Sequence, residues 1–282
     1  MPPSHFAGLS LERPLLMGVV NVTPDSFSDG GRFRDREAAI AHGWSLVEQG
    51  ADIIDIGGES TAPGSSPLSP DEEMLRVLPV VQALADDGLC VSIDTRNAAV
   101  MREAVAAGAR IINDITALTH DPEALQVATA SGAAIVLMHI QGEPGTMQND
   151  PRYDDAPREV YDWLAARVAA CEQAGIERSR LAIDPGIGFG KTTEHNCQIL
   201  ADLGRYHRLG LPIVLGVSRK RFIGALSRGE PPDRRLPGSL AAALAGLCRG
   251  VQILRVHDVA ETAQAVAVWR AIDKEFQVRN EP

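Results

Sequence analysis

Three acidic or amide side chains each directly follow a short apolar run: Asp94 after Ile93, Asn113 after Ile112, and Asp184 after Ile183. A carboxylate accepts two parallel hydrogen bonds, and an amide both donates and accepts. Together they suit the donor-bearing edge of a flat, amidine-like heterocycle. Singly, each suits the cap of a following helix equally well; the repetition at three strand ends favours a ligand. A second set is basic: Arg219, Lys220 and Arg221, then Arg255 and His257. Arginine matches phosphate with paired donors. Arg255 and His257 alternate with Val256, so both point to one side of a strand that continues to that point. A third stretch, NVTPDSFSDGG from Asn21 to Gly31, follows the buried-looking run Leu15–Val20 with many more polar groups than a scaffold needs.

The elements that hold these residues repeat. Strand-like runs are predicted at Leu15–Val20, Asp52–Ile56, Leu89–Ile93, Arg110–Asn113, Ala133–Met138, Leu181–Ile183, Ile213–Val217 and Val251–Val256. Each is short and apolar on consecutive positions, as in a parallel sheet buried on both faces. Amphipathic helical patterns lie between them: Arg36–Gln49, Pro70–Ala85, Asn97–Ala106, Pro122–Ala130, Ala156–Ala174, Glu194–His207, Ser239–Arg249 and Val259–Asp273. Gly50, Gly108, Gly132 and Gly175 stand where helices end. Eight strand–helix units predict an α/β fold, a (β/α)8 barrel in one domain over residues 1–282. A doubly wound open sheet is the alternative. Residues 1–13 form an N-terminal extension placed to cap the closed end. The barrel puts active-site groups at the C-terminal ends of its strands, with a phosphate site commonly after strands seven and eight. Both sets fall there.

Composition limits the partners. With 27 Lys and Arg against 37 Asp and Glu, the net charge is −10. That disfavours a nucleic-acid or anionic-membrane surface, since either requires a basic face. No run approaches the ~18 apolar residues of a membrane span. The four Cys (Cys90, Cys171, Cys197, Cys248) form no CxxC pair, and Met1–Ser10 lacks the pattern of a signal peptide, so a reducing cytoplasm is expected. Gly190-Lys191-Thr192 imitates the end of a P-loop, but Pro185 occupies the position where that motif requires its first Gly. Schiff-base chemistry at Lys220 is chemically possible, although the arginines beside it suit an anion equally.

The motifs NVTPDSFSDGG at 21–31, DIGGEST at 55–61, SIDT at 92–95, INDI at 112–115, DPGIGFGK at 184–191, GVSRK at 216–220 and RVHD at 255–258 resemble those of the bacterial dihydropteroate synthases. The resemblance runs from about residue 14 to 270. It implies a cytoplasmic, homodimeric barrel enzyme of tetrahydrofolate biosynthesis and a sulfonamide target. The implied reaction joins 6-hydroxymethyl-7,8-dihydropterin diphosphate to 4-aminobenzoate, releasing diphosphate. Carried over by position, Asp94, Asn113, Asp184 and Lys220 hold the pterin. Asn21, Arg255 and His257 form the diphosphate pocket, with Asn21 also contacting Mg2+. Thr61 lies near both substrates, and Phe27, Pro63, Phe189 and Ser218 shape the aminobenzoate pocket. Lys220, Asp94 and Arg255 are the residues expected to act in the reaction. The dimer surface is expected on the last three predicted helices. A pterin-dependent methyltransferase is the rival on the same barrel, but it has no use for the diphosphate pocket. One departure stands out: the family usually reads GGESTRPG, and Ala62 replaces its Arg here. Ala62→Arg is predicted to change the Michaelis constant for aminobenzoate more than pterin binding. Equal effects on both would sink that reading.

Overall fold

The computed structural model describes residues 4–22, 32–59 and 68–280. A hairpin of β1 (His5–Phe6) and β2 (Leu9–Ser10) comes first. Strands and helices then alternate. The strands are β3 (Leu15–Asn21), β4 (Ile53–Gly57), β5 (Val91–Asp94), β6 (Ile111–Asp114), β7 (Ala134–Met138), β8 (Leu181–Asp184), β9 (Val214–Leu215) and β10 (Ile253–Val256). The helices are α1 (Arg32–Glu48), α2 (Pro70–Asp86), α3 (Ala98–Ala106), α4 (Ala124–Ser131), α5 (Ala156–Gln173), α6 (Thr193–Ala201), α7 (Arg221–Leu226), α8 (Leu236–Leu247) and α9 (Val259–Asn280).

Strands β3 to β10 are parallel, in the order β8-β7-β6-β5-β4-β3-β10-β9. The ring closes where Ile183 bridges Ile213 and its N–H donates to the Pro212 carbonyl at 2.9 Å. The expected barrel is therefore the fold, and the open doubly wound sheet is not.

Local chemistry sets the element ends. Ser69 accepts the Glu72 N–H at the start of α2, with Pro70 at its first position. Thr192 and His195 cap α6 reciprocally. Gly132 ends α4 in the left-handed region, at φ 72°, which glycine adopts without strain.

The two-residue period of the strands divides the barrel into two apolar sets. Leu16, Ile54, Ile56, Ile93, Ile112, Ile135, Leu137, Ile183 and Leu254 face the helices in the larger core. Leu15, Met17, Ile53, Ile111, Val136, Ala182, Val214 and Ile253 fill the interior near the strands' N-terminal ends, and Phe6 of the hairpin packs onto them at 1% exposure. The interior of this end is thus closed by carbon.

Three local expectations need correction. The run Ile213–Val217 forms only the two-residue β9, with Ile213 attached by a single bridge. The predicted helix Glu194–His207 is α6 followed by a separate 3-10 segment, Leu203–Leu209. The short helix α7, immediately after Lys220, was not anticipated.

Candidate active site

Continuing the inward-facing period upward changes the chemistry. The register sets Val19 beside Asp55, Gly57 beside Asp94, and Asp94 beside Asn113. Asp55 is fully buried, two residues above Ile53 on the same face of β4. Its Oδ2 accepts from Arg255 Nε at 2.6 Å and from Asn113 Nδ2 at 3.1 Å. Arg255 Nη2 donates to Asp94 Oδ2 at 2.7 Å. One guanidinium thus bridges carboxylates from two strands, and one carboxylate bridges a guanidinium and an amide.

Asp184 Oδ1 accepts the Gly186 N–H at 2.7 Å, which holds the loop after β8 against the strand end. That loop passes close to its neighbour: a Cβ on Gly186 would lie 1.8 Å from the His139 carbonyl oxygen. Glycine there is a steric requirement as well as a conformational one. Gly57 and Gly216 keep the floor open. A Cβ on Gly57 would face Asp94 Oδ2 at 3.7 Å and Asn21 Oδ1 at 3.9 Å. One on Gly216 would face Asp184 Oδ2 and Arg255 Cβ, both at 3.9 Å.

Lys220 Nζ lies 4.1 Å from the centre of the Phe189 ring. Phe189 itself packs with Ile115, Met138 and Met147. Ser218 Oγ accepts the His257 N–H at 3.2 Å and lies 3.0 Å from His257 Nδ1. Asn21 ends β3 with an exposed side chain. Asp94, Asn113, Asp184, Lys220, Arg255, His257, Ser218, Phe189 and Asn21 therefore all stand at the C-terminal end of the barrel. Phe27, Thr61, Ala62 and Pro63 lie outside the described residues.

The electrostatics follow from burying many charges together. Burial, with Asp55, Glu73 and Asp114 nearby, raises the Asp94 carboxyl to about 7 despite the neighbouring Arg255. Burial also raises Asp184, against the Gly186 N–H and the Lys220 charge. Lys220 is lowered to about 8 by burial and by Arg255. Arg255 is held above its usual value: burial opposes its charge, and Asp55 and Asp94 outweigh that. His257 is lowered to about 4 by burial and the surrounding cations, so at neutral pH it is an uncharged hydrogen-bonding group.

Not every expected residue belongs here. Arg219 pairs with Asp258, Nε to Oδ2 at 3.0 Å with a second contact from Nη2 to Oδ1. Its charge is spoken for outside the anion set. Arg221 opens α7 with an exposed side chain. Lys191 is buried at 2% exposure, with Nζ 2.9 Å from His139 Nδ1 and 3.0 Å from the Phe189 carbonyl. It joins the loop after β7 to the loop after β8.

Two features were missed. Asp55 lay unremarked inside DIIDIGG, although a charge between isoleucines of a buried strand was the available signal. Arg96 makes two bonds to Glu59, both 3.1 Å, and a third to Glu143 at 3.2 Å. Glu59 also accepts the Leu68 N–H at 3.3 Å. These contacts connect the rim after β4 to the loop after β7.

The pterin-binding enzyme family model matches residues 17–257. Dihydropteroate synthase of Escherichia coli K12 is 47% identical over 264 residues, 93% of each chain. That of Neisseria meningitidis serogroup B is 46% identical over 94% of each. Among solved structures, the Xanthomonas albilineans enzyme with 4-aminobenzoic acid superposes with a TM-score of 0.89 at 49% identity, covering 98% of this chain and 97% of that one. The same enzyme with 7,8-dihydropteroate gives 0.84 at 45% identity, covering 98% of both. The Yersinia pestis enzyme with a sulfonamide gives 0.89 at 45% identity, covering 94% of this chain and 96% of that one. With these likenesses spanning nearly its whole length, this chain belongs to the dihydropteroate synthase family of pterin-binding enzymes.

Proposed function

We propose that this chain condenses 6-hydroxymethyl-7,8-dihydropterin diphosphate with 4-aminobenzoate to give 7,8-dihydropteroate and diphosphate. The observation that carries the reading is the cluster of Asp94, Asn113, Asp184, Lys220 and Arg255 at the C-terminal end of the barrel. Relatives whose structures contain 4-aminobenzoic acid and 7,8-dihydropteroate share this fold at 45–49% identity.

In this reading the carboxylates of Asp94 and Asp184 accept from the ring N–H groups and favour positive charge on the pterin. Lys220 donates to the ring's oxo side. Arg255 and His257 donate to the departing diphosphate. With the Ser218 hydroxyl donating to Nδ1, the neutral imidazole keeps its Nε2–H for that oxygen anion. Donors aimed at developing charge in a water-poor site are each worth about 3 kcal/mol. The C–O bond to diphosphate breaks ahead of attack, and the aniline nitrogen attacks as the neutral amine, so no general base is required. Deuterating the methylene should then produce a secondary isotope effect clearly above unity; a value near unity argues for direct displacement.

Among the described residues no group of three His, Cys, Asp or Glu is placed to hold a metal ion. The exposed Asn21 amide oxygen fits a single contact to Mg2+ carried on the diphosphate, a hard cation that takes most of its oxygens from phosphate and water. Bound there, the ion would neutralise charge on the leaving group.

A homodimer is part of the proposal. A cavity of about 530 Å³ between α6, α7 and α8 is lined by Leu200, Phe222, Ala242 and the exposed Leu226, apolar enough for a subunit contact. Sedimentation of Leu226→Glu against the unchanged chain tests this. No helix among the described residues is long and apolar enough to cross a membrane. The decisive assay is diphosphate release, expected only when the pterin diphosphate and 4-aminobenzoate are both present. Release independent of the amine, or pterin binding without release, would overturn the assignment.

A further inference from the structure

We propose that Lys191 is a positioning residue: it grips the Phe189 carbonyl, keeps the Phe189 ring under Lys220, and so sets where the Lys220 ammonium stands. The part of Lys220 in turnover rests on the functional reading above; its placement does not. Lysine is scarce in this chain. Of its 27 Lys and Arg, only Lys191, Lys220 and Lys274 are lysine. Lys274 is exposed on α9, whereas the other two lie against the loop after β8. Position 191 thus carries an ammonium in a chain that elsewhere uses arginine.

The contacts explain the choice. Lys191 Nζ lies 3.0 Å from the Phe189 carbonyl oxygen, 2.9 Å from His139 Nδ1 and 3.4 Å from the His139 carbonyl oxygen. An ammonium has three N–H groups and no lone pair, so Nδ1 must be the acceptor and the imidazole neutral. Burial and the Lys191 charge agree, pushing the His139 imidazolium down to about 2. The ring is braced from α5 by Trp163, edge to face at 5.0 Å. Three acceptors from two loops therefore converge on one buried, compact donor. A planar guanidinium could not aim three donors into that space.

Phe189 needs this grip because glycine stands on both sides of it. Gly188 and Gly190 have φ of 84° and 61°. Other groups fix the glycines themselves. The Gly188 carbonyl accepts from Gln148 Nε2 at 2.6 Å, its N–H donates to Asn196 Oδ1 at 2.7 Å, and the Gly190 carbonyl accepts from the Tyr153 hydroxyl at 2.9 Å. Among the described residues, Lys191 supplies the donor to the Phe189 carbonyl. On its other side the Phe189 ring packs with Ile115, Met138 and Met147 and lies under Lys220 Nζ at 4.1 Å. Without the ammonium, three buried acceptors face one another with no donor, which is costly. The Phe189 peptide relieves that by turning between its two glycine joints, and the ring leaves Lys220.

The test is NMR of the full chain carrying isotope-labelled lysine, below a pH of about 7 so that Lys191 keeps its proton. The three ε-methylene signals are assigned with Lys220→Met and Lys274→Met. A methylene held over an aromatic face resonates upfield. The Lys220 signal should therefore stand upfield of Lys274 and lose that displacement in Phe189→Leu. Lys191→Met should remove most of it with the ring still present. Diphosphate release is followed at the same pH. Lys191→Met should lower kcat/KM about tenfold, the worth of one desolvated cation–π contact. Made in Phe189→Leu, it should lower kcat/KM by less than about twofold more. A lysine that merely supports the fold would leave the Lys220 signal of the folded protein in place, or would cost the same factor with and without the Phe189 ring. Either result overturns the inference. If Lys191→Met does not fold, Lys191→Gln, which keeps a shorter donor, is judged by the same two criteria. If the unchanged protein releases no diphosphate, the functional reading falls, while the spectra still decide the placement of Lys220.

Discussion

The two ends of the barrel interior use the same inward-facing positions and opposite chemistry. At the N-terminal end Met17, Ile53, Ile111 and Ile253 meet under Phe6, and nothing polar is needed. Two residues further along the same strands stand Asp55, Asn113 and Arg255, and Asp94 joins them from β5. The lower end is stabilised by removing carbon from water, roughly 25 cal/mol for each Å² buried. The upper end gathers charges whose desolvation each opposes folding and which persist because they are paired. One strand length separates an assembly that maximises stability from one that holds charge ready for a ligand.

The sharpest way to break this contrast is Arg255→Ala. It leaves Asp55 and Asp94 facing each other without their cation. Removing one partner of a buried pair should destabilise by about 3–5 kcal/mol, and the lost donor should lower kcat/KM by at least about a hundredfold. Arg255→Lys should restore little, because a single ammonium cannot bridge two carboxylates through a planar fork. Denaturant melts and steady-state kinetics check both halves. Phe6→Ala at the other end should lose a similar 3–5 kcal/mol or so, while kcat/KM per folded molecule stays within about twofold, since the nearest ligand-facing groups lie two interior positions away. A large kinetic effect there would blur the division between the ends.

pH sharpens the comparison. Asp94, at about 7 in the folded chain, keeps its proton where the unfolded chain, near a pKa of roughly 4, has lost it. Its contribution to stability falls as pH rises from roughly 4 to about 7. Lys220, at about 8, loses its proton before the unfolded chain does, so its contribution rises from about 8 toward roughly 10.4. Thermal melts across pH should show the first slope flatten in Asp94→Asn and the second in Lys220→Met. Phe6→Ala should leave both unchanged. The smallest effect is expected for Arg219→Ala. Its charge is already paired with Asp258 on a half-exposed surface, so the KM for pterin diphosphate should change by less than about threefold.

Much of this could be read from the chain. Strand count, barrel class and the placing of Asp94, Asn113, Asp184, Lys220, Arg255 and His257 at one rim followed from apolar runs ending in polar residues. Where the reading failed, a local pattern was ambiguous. A strand at Ile213–Val217 looked as long as its neighbours, yet pairing stops after Leu215. Arg219 carries the same charge as Lys220, and only the return of Asp258 from the far side of α8 sets it apart. Asp55 shows the limit most clearly. Its period-two position on β4 marked it as facing inward, but its partners lie 58 and 200 residues away in the chain.

The sequence by itself determined the alternation of strands and helices, the glycine turns and the inventory of groups at the strand ends. Those depend on backbone preference and hydrophobic period, which act over a few residues. Only the tertiary structure decided which charges pair, that Arg255 is shared between Asp55 and Asp94, that Asn113 faces Asp55 with its NH2, and that His257 is neutral at pH 7. Pairing and protonation depend on distance and on the water removed around a group. Closing the barrel sets both at once, by bringing residues from distant parts of the chain into one buried space.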